Sequence, residues 1–377
     1  MKRMKAAVLL TAMMGTLCVP TVGWADETED HEPITIMDAN RDYTQLIELV
    51  HEKYPEINIE IIPYKGRNAT AYMKKQLETG IMPDIYCTTQ IWSSELQKEY
   101  LIDLSQYAIT DMYNQVRLNE LDVDGAIYLL PYDYSISGII YNKTLLENKN
   151  IELPTSFAQL RDETIPALEK EGIEVSACLM NLPGYPFQYF FNVASTGFTN
   201  TLQGEAWQNQ FINGEVKASE ALQSSIDYFQ EWIDCGMINE NYGIVENSEL
   251  LAHFEEGNTA FLLGGMQKFS QNEDGSGDQY GLMPYLSEDG SKNVYITNNT
   301  RLYGLNKGLE QEGNEQKLED AMHVLEVMST NEGCNALIGD VITSMWSIKG
   351  YKVSEESPYA DAIQKINNGY MAPLIYN

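Results

Sequence analysis

Polar and aromatic residues interrupt two apolar strands in the segment GAIYLLPYDYSISGIIYNKTLL, residues 125–146. The residues before and after the elbow of Pro131, Tyr132, Asp133 and Tyr134 have the pattern of buried strands. Polar side chains are costly to bury between two strands unless they line a cavity. The segment therefore predicts that Tyr132 and Asp133 face a cavity that binds a small molecule.

Further side chains able to bind a ligand follow the first and third predicted strands. Open α/β sheets place ligands at the C-terminal ends of their strands, which is where these side chains occur. Flat aromatic faces suit the apolar side of a sugar ring, and planar amides or carboxylates can bind its hydroxyls. The candidates are Asp38, Asn40, Arg41 and Tyr43 after the first strand, and Thr88, Gln90 and Trp92 after the third.

The sequence lacks several common motifs of enzyme active sites. The sequence has no Gly-Lys pair of a phosphate-binding loop, no G-x-S-x-G elbow and no H-E-x-x-H zinc motif. The four histidines are far apart in the sequence. With 55 acidic residues, two carboxylates at a spacing suited to glycoside hydrolysis are expected by chance, so such a pair is no evidence for a glycosidase. NEDGSGD resembles the start of a calcium loop, but Met283 replaces the acid that would close it. We expect no catalytic residue, no metal and no cofactor.

The first 25 residues predict a secretory signal. Three basic residues precede the apolar run 6–14, and the sequence GWA ends with small residues at the recognition positions. We therefore expect cleavage after Ala25 and a secreted, cell-surface or periplasmic protein. Lipidation of Cys18 is the less favoured alternative, because the bulky Leu17 directly precedes it.

The chain without its signal is strongly acidic. Loss of the three basic residues changes the net charge from −31 to −34. This charge argues against nucleic acid and anionic lipid as partners, because the attraction to phosphate has the wrong sign. The acidic residues 26–32 are expected to be disordered. Outside the signal the cysteines have no C-x-x-C spacing, so we expect free thiols at Cys87, Cys178, Cys235 and Cys334.

The elements that carry the candidates alternate between strands and helices. ITIM is a short strand, and DYTQLIELVHEKY places Leu46, Leu49, Val50 and Tyr54 on one helical stripe. INIEIIP predicts a strand, residues 71–78 a helix and DIYCT a further strand. This alternation predicts a parallel α/β fold. Because 377 residues exceed one ordinary core, we expect two lobes.

The order of several segments resembles the extracellular solute-binding proteins of ABC importers, in the carbohydrate-type family that includes the maltose-binding protein. MPDIY resembles the family's Pro-Asp strand start, and residues 122–160 resemble its strand, crossing segment and Pro-Thr-x-x-x-Leu signature. HFEEGNTAFLLGG resembles a Phe-x-x-Gly-x-x-Ala junction, and YGLMPYL and LYGLNKG resemble the closing section. In this order and spacing the set is fairly specific, and it covers most of residues 33–350.

The resemblance implies a two-lobed periplasmic-binding-protein-like fold of the α/β class. Each lobe would have a mostly parallel sheet flanked by helices, and hinge strands would join the lobes. Hinge rotation is expected near residues 132–137, 265–280 and 300–307. Family members usually carry more helix near the end than residues 359–367 provide, so we expect either a trimmed second lobe or a sequence that does not include the whole C-terminus. The expected division is a signal at 1–25, a disordered segment at 26–32, an N-terminal lobe of 33–134 plus 278–305, and a C-terminal lobe of 135–277 plus 306–377.

The resemblance also adds candidates from the second half of the chain. Tyr185 in NLPGYPF occupies the place of a ring-stacking aromatic, and Gly265 and Met266 occupy a turn where the family often presents Trp. TSMWS offers Trp346 and Ser344 instead, whereas Trp232 lies on an apolar helical stripe and is expected in the core. The predicted ligand-binding set is Asn40, Arg41, Tyr43, Thr88, Gln90, Trp92, Tyr132, Asp133, Tyr185, Gly265, Met266 and Trp346.

These features predict a non-enzymatic, monomeric protein that captures a mono- or oligosaccharide between its lobes and delivers it to an ABC permease. A secreted glycan-degrading enzyme is the main alternative from another class. The same fold could instead bind a polyamine, a metal chelate or a peptide, with Asp38, Asp42 and Asp133 serving a cation. A surface interaction module is a further alternative.

Overall fold

A computed structural model of the chain describes residues 31–38, 41–63, 72, 75–77, 79–88, 92–178, 185–199, 201–238, 247–265, 277–337, 345–351, 359–368 and 371–373. The strands are β1 Ile34–Asp38, β2 Ile59–Pro63, β3 Ile85–Thr88, β4 Asp122–Val123, β5 Ala126–Ile127, β6 Leu130–Asn142, β7 Glu174–Cys178, β8 Thr259–Gly265, β9 Tyr280–Met283, β10 Tyr295–Leu305, β11 Met345–Trp346 and β12 Met371–Pro373. The α-helices are α1 Thr44–Lys53, α2 Ser94–Tyr100, α3 Gln115–Asn119, α4 Lys143–Asn148, α5 Phe157–Gln159, α6 Ile165–Lys170, α7 Tyr185–Thr199, α8 Leu202–Ile212, α9 Ala218–Ala221, α10 Gln223–Asp234, α11 Asn247–Glu255, α12 Glu315–Met328, α13 Asn331–Leu337 and α14 Ala360–Asn367. Short 3₁₀ segments are Leu104–Gln106, Ala108–Met112 and Lys307–Glu310, and Leu160–Thr164 is π-helical.

The strands form a mixed sheet in the order β2-β1-β3-β10-β6-β8-β7. β1 runs parallel to β2 and β3, and β7 runs parallel to β8. The two long strands in the middle, β6 and β10, are antiparallel to each other. β10 is also antiparallel to β3, and β6 is antiparallel to β8. The predicted two-lobed α/β fold is therefore confirmed, with antiparallel strands connecting the lobes.

β6 is one continuous strand that serves both halves of the sheet. Its first part pairs with β10 from Leu130 to Ser137, and its second part pairs with β8 and β9 from Ser137 to Asn142. The prediction of two strands separated by an elbow at Pro131 was wrong. The register with β10 shifts at Arg301, close to Pro131, and such an irregularity allows a strand to contain a residue that lacks an N–H donor.

Buried apolar side chains form separate cores on either side of the middle strands. The first core packs β1, β3 and α1 against α12 and α13, with Ile36, Val50 and Val324 fully buried. In the second region, β8 and α10 contribute Phe261 and Trp232 to another core. Trp232 is completely buried, as its helical stripe predicted. The long strands β6 and β10 supply residues to both regions.

The packing groups the C-terminal segments differently from the expected division. That division assigns residues 306–377 to the second lobe, yet Leu309, Val324 and Met328 lie in the first core. It also assigns residues 278–305 to the first lobe, yet Met283 of β9 lies in the second region. The order of elements along the chain does not determine which core a helix packs against. The division expected from sequence order therefore differs from the grouping by packing.

The described parts of the chain also bear on the cysteines and on membrane insertion. Cys87, Cys235 and Cys334 are free thiols, as expected from their spacing, whereas the side chain of Cys178 lies outside the described residues. Within the described ranges, no helix is both long enough and apolar enough to cross a bilayer.

Candidate functional site

A cluster of charged and aromatic side chains lies where the first core meets the long middle strands β6 and β10. Arg41 follows the C-terminal end of β1, the edge at which α/β sheets bind ligands. Asp133 lies on β6, between two neighbouring strands. Its backbone pairs with Arg301 of β10 on one side and with Trp346 of β11 on the other. The segment that follows β1 therefore meets three strands, β6, β10 and β11, at this position.

An ion pair between Arg41 and Asp133 forms the centre of the cluster. Arg41 Nη2 donates to Asp133 Oδ2 over 2.7 Å, and the two side chains are only 4% and 2% exposed. Thr300 Oγ1 donates to Asp133 Oδ1 over 2.6 Å, and Arg301 Nη1 lies 3.6 Å from Asp133 Oδ2. Hydrogen bonds at both oxygens stabilise a carboxylate that would otherwise be costly to bury.

Burial also changes the ionisation of the pair. Loss of solvent raises the pKa of the Asp133 carboxyl above its usual value, and this effect exceeds the opposing attraction of Arg41. Thr300 also lowers the pKa of Asp133 through its hydrogen bond, and Asp38 raises it by charge repulsion. The charged state of Asp133 therefore depends on the groups that contact it.

Aromatic rings surround the Arg41 guanidinium. Its central carbon lies 5.5 Å from the ring centroid of Tyr132 and 5.9 Å from that of Trp346. The Tyr132 ring meets Trp346 edge-on at 4.8 Å and Tyr303 edge-on at 4.9 Å. Such contacts stabilise a cation that has lost its water.

Several donors in this cluster are buried without a hydrogen-bond partner among the described residues. They are Arg41 Nε, Arg41 Nη1 and Trp346 Nε1. A buried donor left unbonded costs about 1–3 kcal/mol, so most such groups in folded proteins are bonded. The cluster therefore offers three donor atoms to an acceptor-bearing ligand.

Three other predicted residues are buried within the first half of the molecule. Tyr43 donates from its hydroxyl to Asp38 Oδ2 over 2.8 Å and lies 3.0 Å from the Tyr303 hydroxyl. Thr88 is buried at the end of β3, and Trp92 packs edge-on against Tyr86 at 5.1 Å. These side chains contact core residues, whereas Arg41, Tyr132, Asp133 and Trp346 are brought together.

The remaining predicted residues fall partly or wholly outside the described residues. Asn40, Gln90 and Met266 are outside them, as is the side chain of Tyr185, which begins α7. Gly265 ends β8, where its backbone pairs with Ser137 of the hinge strand.

The carboxylates proposed for a cation each have a described partner. Asp38 accepts from Tyr43, and Asp133 accepts from Arg41. Asp42 is exposed and accepts from the backbone N–H of Thr44 at the start of α1.

Sequence reasoning did not identify the contribution of β10. Thr300 and Arg301 contact Asp133, and the partly exposed Asn298 lies opposite Ser135 of β6. A signal was present in the sequence TNNTR, a polar run inside an otherwise apolar strand. This run resembles the segment around Asp133, because in both cases polar side chains interrupt an apolar strand.

Comparison with known proteins agrees with this architecture. The chain is similar in fold to a family 1 extracellular solute-binding protein from Bifidobacterium longum subsp. infantis, with 14% identity, a TM-score of 0.72 and coverage of 90% of this chain and 88% of that one. RafE from Streptococcus pneumoniae in its apo form gives 15% identity, a TM-score of 0.72 and coverage of 91% and 88%. Maltose-bound MalE3 of T. maritima gives 16% identity, a TM-score of 0.64 and coverage of 90% and 88%. At these identities the likeness concerns the fold alone.

Sequence comparison identifies the family directly. No curated protein matches the chain. Residues 39–333 match the model of the bacterial extracellular solute-binding protein family, which is most of the chain. The protein belongs to the bacterial extracellular solute-binding protein family.

Proposed function

We propose that this solute-binding protein captures a mono- or oligosaccharide beside the Arg41–Asp133 pair. The observation that supports this proposal is the buried pair next to Trp346, where three donor atoms have no partner within the described part of the chain. Sugar hydroxyls both accept and donate hydrogen bonds, so they can accept from Arg41 and donate to the remaining lone pairs of Asp133. The indole of Trp346 offers an apolar face for a sugar ring.

Closure of the two lobes around the solute is part of the proposal. We assign the described residues between 34 and 132 and between 303 and 348 to one lobe, and the described residues between 139 and 296 and between 359 and 366 to the other, because the members of each group share cores. β6 and β10 would then act as the hinge. A solute favours the closed form only if it binds that form more tightly, through contacts with both lobes.

The proposed partner is an ABC permease that receives the solute from the closed form. The family is one of extracellular proteins, which agrees with a secretory signal. We propose that this signal is cleaved after Ala25. We propose a monomer without enzymatic activity. The similar MalE3 structure contains maltose, which supports a carbohydrate as the first class of solute to test.

Thermal unfolding of residues 26–377 against mono- and oligosaccharides, spermidine and a peptide mixture tests this proposal. A ligand at about a hundred times its Kd stabilises by about 2.7 kcal/mol, which raises the Tm by roughly a few degrees. We expect a shift with one class of sugar that is lost in Trp346→Ala and kept in Trp232→Phe, which alters only the second core. A shift with spermidine or peptide alone would contradict the carbohydrate assignment. Hydrolysis of an added oligosaccharide would contradict the non-enzymatic assignment.

A further inference from the structure

Strand β10 is irregular where it passes Asp133. Asn299 pairs with Tyr134 and Arg301 pairs with Asp133, so Thr300 is an extra residue that the pairing with β6 skips. In a regular strand, Thr300 and Arg301 would point to opposite faces of the sheet. A bulge of this kind redirects the side chains around it, and bulges are frequent beside functional sites.

The bulge brings two consecutive side chains of β10 to the same carboxylate. Thr300 Oγ1 donates to Asp133 Oδ1 over 2.6 Å, and Arg301 Nη1 lies 3.6 Å from Asp133 Oδ2. Arg41 Nη2 donates to the same Oδ2 over 2.7 Å. The two oxygens of a carboxylate have about four lone-pair sites, so these contacts leave only part of the accepting capacity of Asp133 to a solute.

The two arginines have more N–H donors than Asp133 can accept. Arg41 Nε and Nη1 are buried and have no partner among the described residues. The contact of Arg301 with Asp133 is longer than a hydrogen bond, and the Arg301 side chain is 30% exposed. A planar guanidinium can donate two parallel hydrogen bonds to one carboxylate. Arg301 therefore presents a cationic group that can bind an anion on a solute.

Nearby negative charge opposes an anion only in part. Burial is the main reason why the pKa of Asp133 is raised, and repulsion from the Asp38 carboxylate adds to it. Asp38 itself accepts from the Tyr43 hydroxyl over 2.8 Å. The acidic surface of the whole chain repels anions at long range, but physiological salt screens exposed charges beyond about 8 Å. Direct contacts with Arg41 and Arg301 therefore decide which charge the site favours.

We infer that the solute is an acidic sugar, whose carboxylate accepts from Arg301 and lies close to Arg41. Both guanidiniums approach one oxygen, Asp133 Oδ2, so a single anionic group can contact both. This inference rests on the proposed function, because it names the kind of carbohydrate bound at the same site. Trp346 and the remaining lone pairs of Asp133 bind the neutral part of the sugar. Arg301 is then the residue that distinguishes an acidic sugar from a neutral one.

Isothermal titration of residues 26–377 with matched pairs of sugars tests the inference. The pairs are glucuronate with glucose, galacturonate with galactose, and digalacturonate with galactobiose. Within each pair, carboxylates replace hydroxymethyl groups and the rest of the sugar is unchanged. Charge-assisted hydrogen bonds are stronger than neutral ones, so we expect at least one acid to bind about tenfold more tightly than its neutral counterpart.

Variants of Arg301 test its role in this preference. Arg301→Gln removes the charge, and we expect the ratio of the neutral to the acidic Kd to fall by about tenfold. Arg301→Lys keeps the charge and should recover part of the ratio. A purely structural role would weaken both members of a pair equally. Arg161→Gln is the matched control, because Arg161 forms ion pairs with Asp162 and Glu288 on the exposed surface, and it should leave the ratio unchanged.

The outcomes separate this inference from the proposed function. A neutral sugar that binds at least as tightly as its acidic counterpart would overturn the inference and leave the carbohydrate function in place. An unchanged ratio in Arg301→Gln would overturn the role of Arg301. Failure of every acidic and neutral sugar to bind would contradict both proposals.

Discussion

Two buried arginines lie beside the long strand β6, and they differ in how completely they are bonded. Arg41 makes a single hydrogen bond to Asp133 and leaves Nε and Nη1 without a partner among the described residues. Arg117 bonds Glu120, Thr297 and the sulfur of Met371, and its guanidinium lies 4.4 Å from the Tyr134 ring. Both arginines are beside a carboxylate and an aromatic ring.

This difference separates a structural role from a binding role. A buried charge whose hydrogen bonds are satisfied by the protein holds the elements around it together. Arg117 connects α3 with β10 and β12 in this way. A buried charged group whose N–H donors lack a partner in the protein can donate them to a ligand. We therefore interpret Arg117 as a support of the hinge and Arg41 as a ligand-binding group.

The largest expected effect is on stability when Arg117 is removed. Arg117→Met leaves the Glu120 carboxylate partly buried without its cation, and breaking a buried pair typically costs about 3–5 kcal/mol. Denaturant unfolding followed by circular dichroism would measure the loss. Arg161→Met is the control, because Arg161 forms ion pairs on the exposed surface, where such pairs contribute little. Equal stability of the two variants would show that the Arg117 network does not support the hinge.

A smaller effect is expected in the pH dependence of unfolding. Burial is the largest influence on both Asp133 and Glu120, and it raises the pKa of each carboxyl. A carboxyl whose pKa is raised by folding contributes stability that is fully present below the unfolded pKa and is lost as the pH rises through the folded pKa.

Asp133→Asn removes this contribution beside Arg41. Its free energy of unfolding should therefore increase relative to that of the unaltered chain as the pH rises above roughly 4, the unfolded pKa of an aspartate. Denaturant titrations at a series of acidic pH values would measure the difference, and Glu120→Gln, beside Arg117, should show the same direction. A difference that stays constant with pH would contradict a raised pKa.

Much of the architecture could be predicted from local patterns. The helical stripe of α1 and the apolar environment of Trp232 follow from side-chain spacing, and Leu46, Val50 and Trp232 are buried. Asp133 was selected because polar side chains between two apolar strands are costly to bury unless they line a cavity. The continuity of β6 through Pro131 could not be read locally, since it depends on the register shift in β10.

The remaining parts of the site depend on contacts that sequence order does not reveal. Tyr43 and Trp92 follow strands, as ligand-binding residues do, but the same positions also cover a core, and both side chains are buried there. Arg117 belongs to a short polar helix, and nothing in the pattern VRLNE indicates that its side chain is buried. Its role depends on Thr297 and Met371, which are distant in sequence.

The most direct test compares Arg41→Lys with Arg117→Lys by isothermal titration with a sugar that stabilises the unaltered chain. Lysine keeps the charge but lacks the planar set of donors of arginine. We predict that Arg41→Lys binds the sugar about tenfold more weakly or worse, and that Arg117→Lys binds it as the unaltered chain does at a temperature where both variants are folded. Unchanged affinity in Arg41→Lys, or an equal loss in both variants, would contradict the assignment of Arg41 to the solute.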